Sequence, residues 1–257
     1  MGQRLAALCA GTDDIEVVGA VESGESPCLG SDLGQVATGE PSGARVWPVE
    51  DMESAVRETG AEILVDFSNA IASTANIARA SRMGLGIVMG TTGHDDEQMN
   101  SILKSISDNG VPAVISPNMS AGVNVMIELC RSAVGMLPDY DVEIFEIHHN
   151  RKVDAPSGTA LKIAEEISAA SEPRRTILTG RSGEGRRQRG EIGVSSARGG
   201  DVVGDHTVIF AGSGERIEIT HRAQSRDAFA NGVLASIRFV SSSEPGVYSI
   251  RDVLKSM

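Results

Sequence analysis

Two adjacent histidines and a lysine lie close together in the stretch EIFEIHHNRKVDAPSGTALKIAEEI, residues 143–167. The residues concerned are His148, His149 and Lys152, and histidine as a residue type is the common acid–base group in proteins, whereas lysine is a common cation. Side chains of these types can transfer protons and neutralise an anion. We therefore expect this stretch to carry acid–base chemistry on a small anionic ligand.

Two other interpretations of the stretch remain open from the residues alone. One is a polar surface turn, and the other is a metal site in which Asp154 joins the two histidines. Lys152 lies between those ligands in the sequence and would repel a cation, so the metal site is less favoured. Because neighbouring side chains of a strand face opposite sides, His148 and His149 can share a pocket only if a strand ends there.

The next segment predicts a rigid turn and then a helix over 157–170. Ser157, Gly158 and Thr159 would begin this helix, where unpaired amides and the helix dipole favour an anion such as a carboxylate. An ordinary cap by the Ser157 or Thr159 hydroxyl is the simpler alternative. A later loop is interpreted mainly as solvent-exposed, with a lid or a dicarboxylate contact as the alternative, and carries Arg181, Arg186, Arg187 and Arg189.

Strands alternate with helices in the first half of the chain, which predicts a Rossmann-type, doubly wound α/β fold with a parallel sheet. The predicted strands are 15–22, 61–68, 85–90 and 111–116, and the predicted helices are 3–9, 50–59, 73–84 and 95–110. Residues 23–45 are predicted to form a loop rich in Gly, Ser and Pro.

After Asn118 the pattern becomes that of an α+β domain with a mixed sheet. The predicted elements are helices 121–137 and 157–170, strands 141–148, 191–197, 206–212 and 215–223, and a final helix 227–242 that returns to the first domain. We therefore expect a dinucleotide-binding domain at 1–119 and 230–257, and a substrate-binding and oligomerisation domain at 120–229.

Ligand-binding residues are expected where the parallel strands end, because open α/β sheets bind ligands beyond their carboxyl edges. Glu22 ends one predicted strand and can accept hydrogen bonds from a ribose. GTTG (90–93) and SPNMSAGVN (116–124) follow two others. Three such strand ends together predict a nucleotide site.

A G-x-G-x-x-G turn, which would bind a pyrophosphate, does not occur in the sequence. The chain enters a predicted helix directly after Met1 and Gly2, where the last glycine of such a loop is expected. We therefore expect the sequence to start inside the motif, at an internal methionine, with a central strand of the sheet missing.

Composition excludes several classes of function. The formal net charge of −12 provides no basic surface for nucleic acid or anionic lipid, and 40% hydrophobic residues suffice for a packed core. The three cysteines have no disulfide or zinc-site spacing, which indicates a reducing cytoplasm rather than export. No metal is expected.

The motif ExHHxxKxDxPSGTA over residues 146–160 closely resembles the signature of the dihydrodipicolinate reductase family. The resemblance extends over nearly the whole chain through VDFS, GTTG, SPNMSAGVN, RGGDVVGDHTVIFAGSGERIEITHRAQSR and FANG. It implies reduction of dihydrodipicolinate by NADH or NADPH in the diaminopimelate route to lysine, with a cyclic dicarboxylate as substrate. A cytoplasmic homotetramer, assembled through the second domain, is also implied.

The resemblance also implies roles for individual residues. His148 is the proton donor or acceptor, Lys152 the second proton donor, and His149, Gly158 and Thr159 contact the substrate. The implied cofactor-binding residues are Glu22, Gly90, Thr91, Thr92, Ser116, Pro117, Asn118 and Met119. Ser23 occupies a position where some members have an arginine for the 2′-phosphate of NADPH, which favours NADH.

Two rival functions differ in class from this reductase. A sugar or polyol dehydrogenase shares the nucleotide domain but does not account for the histidine–lysine stretch. The second rival is a truncated remnant that binds ligand without turnover. The absence of the glycine-rich turn is the reason for considering it. Cofactor titration separates the remnant from the enzyme.

Overall fold

The computed structural model describes residues 2–225 and 227–257, so Met1 and Arg226 of the predicted domain ranges lie outside the described residues. The chain divides into two compact units. Unit 1 comprises the residues as far as Met119 together with Phe229–Met257, and unit 2 comprises Ser120–Ala228. The division lies within one residue of the ranges expected from the sequence, and what each unit binds remains a proposal.

The elements follow one another along the chain as α1 (Gly2–Cys9), β1 (Gly19–Glu22), α2 (Leu33–Ala37), β2 (Arg45–Pro48), α3 (Met52–Thr59), β3 (Ile63–Asp66), α4 (Ala70–Arg82), β4 (Gly86–Met89), α5 (Asp96–Asn109), β5 (Pro112–Ile115), α6 (Ala121–Met136), β6 (Asp141–His148), α7 (Gly158–Ala169), β7 (Thr176–Thr179), β8 (Glu191–Arg198), β9 (Gly204–Ala211), β10 (Arg216–Ala223), α8 (Asp227–Val240), β11 (Gly246–Tyr248) and α9 (Ile250–Ser256). A 3₁₀ turn, Val49–Asp51, leads into α3.

Unit 1 contains the expected parallel strands with helices on both faces. Strands β3, β4, β5 and β11 form one parallel sheet in the order β11-β5-β4-β3. Side chains alternate across it, so Val88 and Val114 pack with α8 and α9, whereas Ile87 and Ala113 pack with α4 and α5. The Rossmann-like α/β class predicted from the sequence is confirmed.

The parallel strands of unit 1 form two sheets rather than one continuous sheet. Strands β1 and β2 pair only with each other, from Gly19 opposite Arg45 to Glu22 opposite Pro48. Among residues 2–225 and 227–257, no strand hydrogen-bonds to both β1 and β3. The carboxyl end of β1 therefore belongs to a separate two-stranded sheet.

Unit 2 is built on a mixed five-stranded sheet in the order β10-β9-β6-β8-β7. Strand β6 runs parallel to β8 and antiparallel to β9. Helices α6 and α7 cover one face, where Val142, Ile144 and Phe210 belong to a buried core with Ile163 of α7. On the opposite face Phe145 keeps 47% of its surface exposed.

The structure differs from the sequence-based expectation mainly in the predicted loop 23–45. That segment contains α2 and the start of β2, because the Asp32 carboxylate caps α2 at Gln35 N and also accepts from the amides of Ser42 and Gly43. The strand predicted over 15–22 is regular only from Gly19. Strands β7 and β11 and helix α9 were not predicted. No helix in the described part of the chain is long and apolar enough to cross a membrane.

Candidate active site

Strand β6 carries the first site residues and ends at His148, which meets the condition under which His148 and His149 could share a pocket. Side chains alternate along the strand, so Val142, Ile144, Glu146 and His148 share the face that the helices cover. The first two are apolar and join the core. The last two place a carboxylate and an imidazole at the end of the same row.

Glu146 is 0% exposed, and its carboxylate joins the parts of the site. Oε2 accepts hydrogen bonds from His148 Nδ1 at 2.6 Å and Arg198 Nη1 at 2.9 Å. Oε1 accepts from Arg198 Nη2 at 3.0 Å and from the Ser157 backbone N–H at 3.2 Å. Burial alone would raise the pKa of Glu146, but hydrogen bonds from Arg198, Ser196, His148 and Ser157 outweigh it and lower the pKa to about 2. The carboxylate is therefore ionised at neutral pH.

The His148 ring is bounded by strand β9. Its centroid lies 5.2 Å from that of His206, and the two rings meet edge to face. A Cβ at Gly204 would lie 2.8 Å from His148 Nε2, so a glycine here leaves room for the ring. Burial lowers the pKa of His206 to about 4, and the nearby His148 adds to this effect, so His206 is neutral at neutral pH.

Lys152 follows the end of β6 and is held by an acid. Its Nζ donates to Asp154 Oδ1 at 2.7 Å and Oδ2 at 3.0 Å. The hydrogen bond from Lys152 is the main reason why the pKa of Asp154 is lowered. Asp154 is therefore occupied by an ammonium group, and within the described residues no three His, Cys, Asp or Glu side chains form a potential metal site.

The start of α7 lies against the same carboxylate. Ser157 is the N-cap, and its hydroxyl accepts from Ala160 N at 3.2 Å and contacts His206 Nε2 at 3.2 Å. Gly158 and Thr159 form the first turn of α7, whose positive end favours an anion. Capping by Ser157 and the predicted anion-binding role of this turn are compatible, because the positive end of the helix dipole remains at this terminus.

The predicted cofactor loops of unit 1 follow β4 and β5, which are adjacent strands. Gly90 N donates to Asp66 O at 3.0 Å, and Ser116 N donates to Met89 O at 3.1 Å. The Thr91 hydroxyl donates to Asp66 Oδ1 at 2.5 Å. These bonds fix the GTTG and SPNM segments beside each other at one edge of the sheet.

The predicted cofactor residues differ in what their side chains already bind. Thr91 is bonded to Asp66, and the Ser116 hydroxyl donates to Asn118 O at 2.8 Å. The side chain of Met119 is 2% exposed and packs in the unit 1 core. Thr92 and Pro117 lie in the same two loops, whereas Glu22 ends β1 in the separate two-stranded sheet.

Four residues that organise the two sites were not among the predicted site residues. They are Glu146, Arg198 and His206 in unit 2 and Asp66 in unit 1. Glu146 could have been predicted from the sequence, because an acid two residues before His148 lies on the same face of a strand as that histidine. Arg198 and His206 become neighbours of Glu146 only through the pairing of β6 with β8 and β9.

The arginine-containing loop before β8 is largely neutralised by acids. Three of the predicted arginines form ion pairs, at 2.6 Å from Arg181 to Glu191, 2.5 Å from Arg187 to Glu143 and 2.5 Å from Arg189 to Asp139. These pairs account for the three charges without a bound dicarboxylate. They favour the interpretation of the loop as a structural, solvent-exposed segment.

The fold and the site together define a Rossmann-like α/β protein with a second, mixed-sheet unit that holds a histidine, a lysine and a helix N-terminus. The family model described as "Dihydrodipicolinate reductase, N-terminus" matches residues 1–119, and the one described as "Dihydrodipicolinate reductase, C-terminus" matches residues 122–254. The chain belongs to the dihydrodipicolinate reductase family, as the sequence resemblance predicted.

Relatives cover almost the whole chain. The 4-hydroxy-tetrahydrodipicolinate reductase of Methanothermobacter thermautotrophicus is 44% identical over 99% of this chain and 94% of its own length. That of Methanocaldococcus jannaschii is 44% identical over 99% of this chain and 93% of its own length. The family assignment thus rests on both units.

Solved structures share the fold at lower identity. A dipicolinate-bound dihydrodipicolinate reductase from Paenisporosarcina sp. TG-14 matches with a TM-score of 0.78 and 23% identity, over 96% of this chain and 92% of that chain. A myo-inositol dehydrogenase from Corynebacterium glutamicum matches with a TM-score of 0.61 and 14% identity, over 99% and 90% of the two chains. The rival polyol dehydrogenase class therefore shares the fold. The family models, however, match this chain as a dihydrodipicolinate reductase.

Proposed function

We propose that this chain is an NAD(P)H-dependent oxidoreductase that reduces dihydrodipicolinate, formed from 4-hydroxy-tetrahydrodipicolinate, to tetrahydrodipicolinate in the diaminopimelate pathway of lysine biosynthesis. The observation that carries the proposal is the Glu146 carboxylate, which contacts both His148 and the start of α7. A proton donor is thereby placed beside a helix end suited to carboxylates. Family membership and the dipicolinate bound by the Paenisporosarcina relative support a cyclic dicarboxylate as the substrate class.

The residues of unit 2 would bind the substrate and supply protons. The helix dipole and first-turn amides at Gly158 and Thr159 would hold a carboxylate, with the Lys152 ammonium as the nearby cation. Reduction of a conjugated imine places charge on nitrogen and the adjacent carbon, so an acid must deliver a proton. His148, whose Nδ1 is bound to Glu146, would deliver it from Nε2, and Lys152 is the second acid.

Residues of unit 1 fit a nicotinamide cofactor through the loops after β4 and β5. A bound NADH or NADPH would supply the hydride. Gly90, which has no side chain, and Ser116, whose hydroxyl is held by Asn118, leave backbone rather than bulky side chains at this edge of the sheet. Glu22 at the end of β1 would accept from a ribose hydroxyl, as the strand-end position predicts.

Three finer points belong to the same proposal. NADH is favoured over NADPH, because Glu22, Ser23 and Glu25 offer no cation to a 2′-phosphate. A homotetramer is supported by the half-exposed face of the unit 2 sheet around Phe145. A cytoplasmic setting is supported by three free cysteines.

The proposal is tested by following NADH and NADPH absorbance after the purified chain is mixed with freshly condensed pyruvate and aspartate semialdehyde. We expect oxidation of the cofactor that depends on both condensation partners. Cofactor binding without oxidation would instead support the ligand-binding remnant. Reduction of NAD⁺ by myo-inositol-type polyols, without oxidation of NADH or NADPH by the condensed substrate, would support the dehydrogenase class.

A further inference from the structure

The two carboxylate oxygens of Glu146 contact different parts of the site. Oε2 faces His148 Nδ1 at 2.6 Å, and Oε1 faces the Ser157 backbone N–H at 3.2 Å. Arg198 binds both oxygens through Nη1 and Nη2, at 2.9 and 3.0 Å. Such a two-point contact fixes the plane of the carboxylate as well as its position. Glu146 therefore cannot rotate toward one partner without losing the other.

The ionised carboxylate decides which nitrogen of His148 carries the proton in the neutral ring. An ionised carboxylate only accepts hydrogen bonds, so the 2.6 Å contact requires a proton on His148 Nδ1. The neighbouring His206 does not compete for this acceptor, because its Nε2 is directed to the Ser157 hydroxyl at 3.2 Å. The Nε2 of His148 is consequently the atom that can gain and lose the catalytic proton.

We infer that Glu146, clamped by Arg198, is a positioning residue that holds His148 in the Nδ1–H tautomer and ties it to the N-terminus of α7. The contribution to turnover rests on the proposed function, whereas the tautomer itself does not. Arg198 also donates to the Asp154 carbonyl at 2.5 Å, and Asp154 in turn holds Lys152. One arginine thus links the segments that carry both proposed acids.

A glutamine at position 146 has nearly the same shape but cannot serve both partners. Its single amide oxygen can accept from His148 or from Ser157 N, while its NH₂ group faces the other donor or Arg198. If the NH₂ group faces His148 Nδ1, it favours the opposite tautomer. Glu143 is the matched control, because it lies on the same strand, faces the other side of the sheet and pairs with Arg187.

The tautomer is measured by ¹⁵N–¹H NMR of the ring nitrogens at pH 8, where the full chain offers only five histidines. His148 is assigned by the signal that His148→Gln removes. We expect the Nδ1–H tautomer of His148 to be the major form in the wild type and in Glu143→Gln. In Glu146→Gln we expect it to be no longer the major form. An Nε2–H tautomer in the wild type, or an unchanged spectrum in Glu146→Gln, would overturn the inference.

Steady-state kinetics supply the second readout. We expect Glu146→Gln to lower kcat by roughly 10²- to 10⁴-fold, the upper end being the cost of replacing a buried acid that fixes a catalytic histidine tautomer, with KM for the cyclic substrate changed less than about 3-fold. Glu143→Gln should keep both values.

If Glu146→Gln does not fold, Arg198→Lys is the second variant. It keeps the charge but loses the two-point contact, and should lower kcat about 10-fold. Wild-type kcat in folded variants of both positions would overturn the positioning role, whereas an inactive wild type with the Nδ1–H tautomer would contradict only the proposed function.

Discussion

The ring of Phe67 lies directly over the backbone of Gly90, so that a Cβ at position 90 would be 2.1 Å from Phe67 Cε1. Phe67 follows β3 and Gly90 follows β4, which are adjacent parallel strands. The contact therefore requires glycine for space rather than for an unusual backbone angle. It fixes the start of the GTTG loop that we propose to contact the cofactor.

Gly90→Ala should displace either Phe67 or the loop backbone. We expect a loss of about 1–3 kcal/mol in the free energy of unfolding, as for other overpacked sites, together with weaker NADH binding. Urea unfolding and a fluorescence titration measure the two effects. Gly135→Ala is the matched control, since apart from its chain neighbours and the adjacent backbone of α6 no atom lies within 4 Å of its Cβ position, and it should leave NADH binding unchanged. Equal NADH affinity in the two variants would contradict the proposed role of the loop.

Removal of either proposed acid should lower turnover while the fold remains intact. His148→Gln and Lys152→Ala each remove a group that delivers a proton, and loss of a positioned acid typically costs about 10²- to 10⁴-fold in rate. NADH oxidation gives the rate, and circular dichroism verifies the fold. Lys162→Ala is a suitable control, because Lys162 pairs with Glu166 on the exposed side of α7. Wild-type turnover in both site variants would exclude the assigned roles.

The sequence predicted those parts of the site that are local in the chain. His148, Lys152 and the Ser157 cap lie within ten residues, and the strand before Lys152 and the helix after it have clear periodicity. Arg198 is distant in sequence and reaches Glu146 only because β6 and β8 pair with His148 opposite Arg198. That register depends on long-range packing, which residue patterns do not encode locally.

The same distinction explains which elements of the fold were missed. Long amphipathic elements such as α5 and β6 were predicted close to their observed bounds. Helix α2 has only five residues and depends on the Asp32 carboxylate, which also binds amides ten and eleven residues later. Strand β11 has three residues and is defined by pairing with β5. Elements this short are fixed by tertiary contacts rather than by periodicity.

Cofactor preference should respond to the residue after Glu22. Ser23 N contacts the Glu22 carboxylate at 3.3 Å, and an acid at this point repels a 2′-phosphate. We expect a lower KM for NADH than for NADPH in the wild type. Ser23→Arg should lower the KM for NADPH by about 10-fold, since a hydrogen bond to a charged group contributes roughly 1.5–3 kcal/mol. A wild type that prefers NADPH, or a variant with unchanged KM values, would contradict the assigned position of the ribose.

The proposed tetramer should depend on the exposed face of the unit 2 sheet. Phe145 is 47% exposed there and lies opposite Thr207, whose hydroxyl contacts that of Thr220 at 3.0 Å. A charged side chain on this face would lose its hydration if the face were buried in an interface, and that desolvation costs several kcal/mol unless the charge is paired. Phe145→Glu should therefore reduce the mass in light scattering from a tetramer toward smaller species. Ile71→Glu, at a side chain that is 78% exposed in unit 1, should leave the mass unchanged. A wild-type monomer would contradict the proposed assembly.

Stability should fall as the pH drops below neutrality because His206 is buried in its neutral form. Burial depresses its pKa from 6.5 to about 4, so between these values the unfolded chain binds a proton that the folded chain does not. The free energy of unfolding therefore rises with pH across this window. The stability that the neutral His206 contributes is lost as the pH falls through the same window. Burial lowers the pKa of His221 as well, which acts in the same direction. From pH 7 to pH 5 we expect His206 to account for a loss of about 2 kcal/mol. Urea unfolding at the two pH values should show a smaller loss in His206→Gln than in the wild type, and equal losses would mean that His206 is not held neutral in the folded protein.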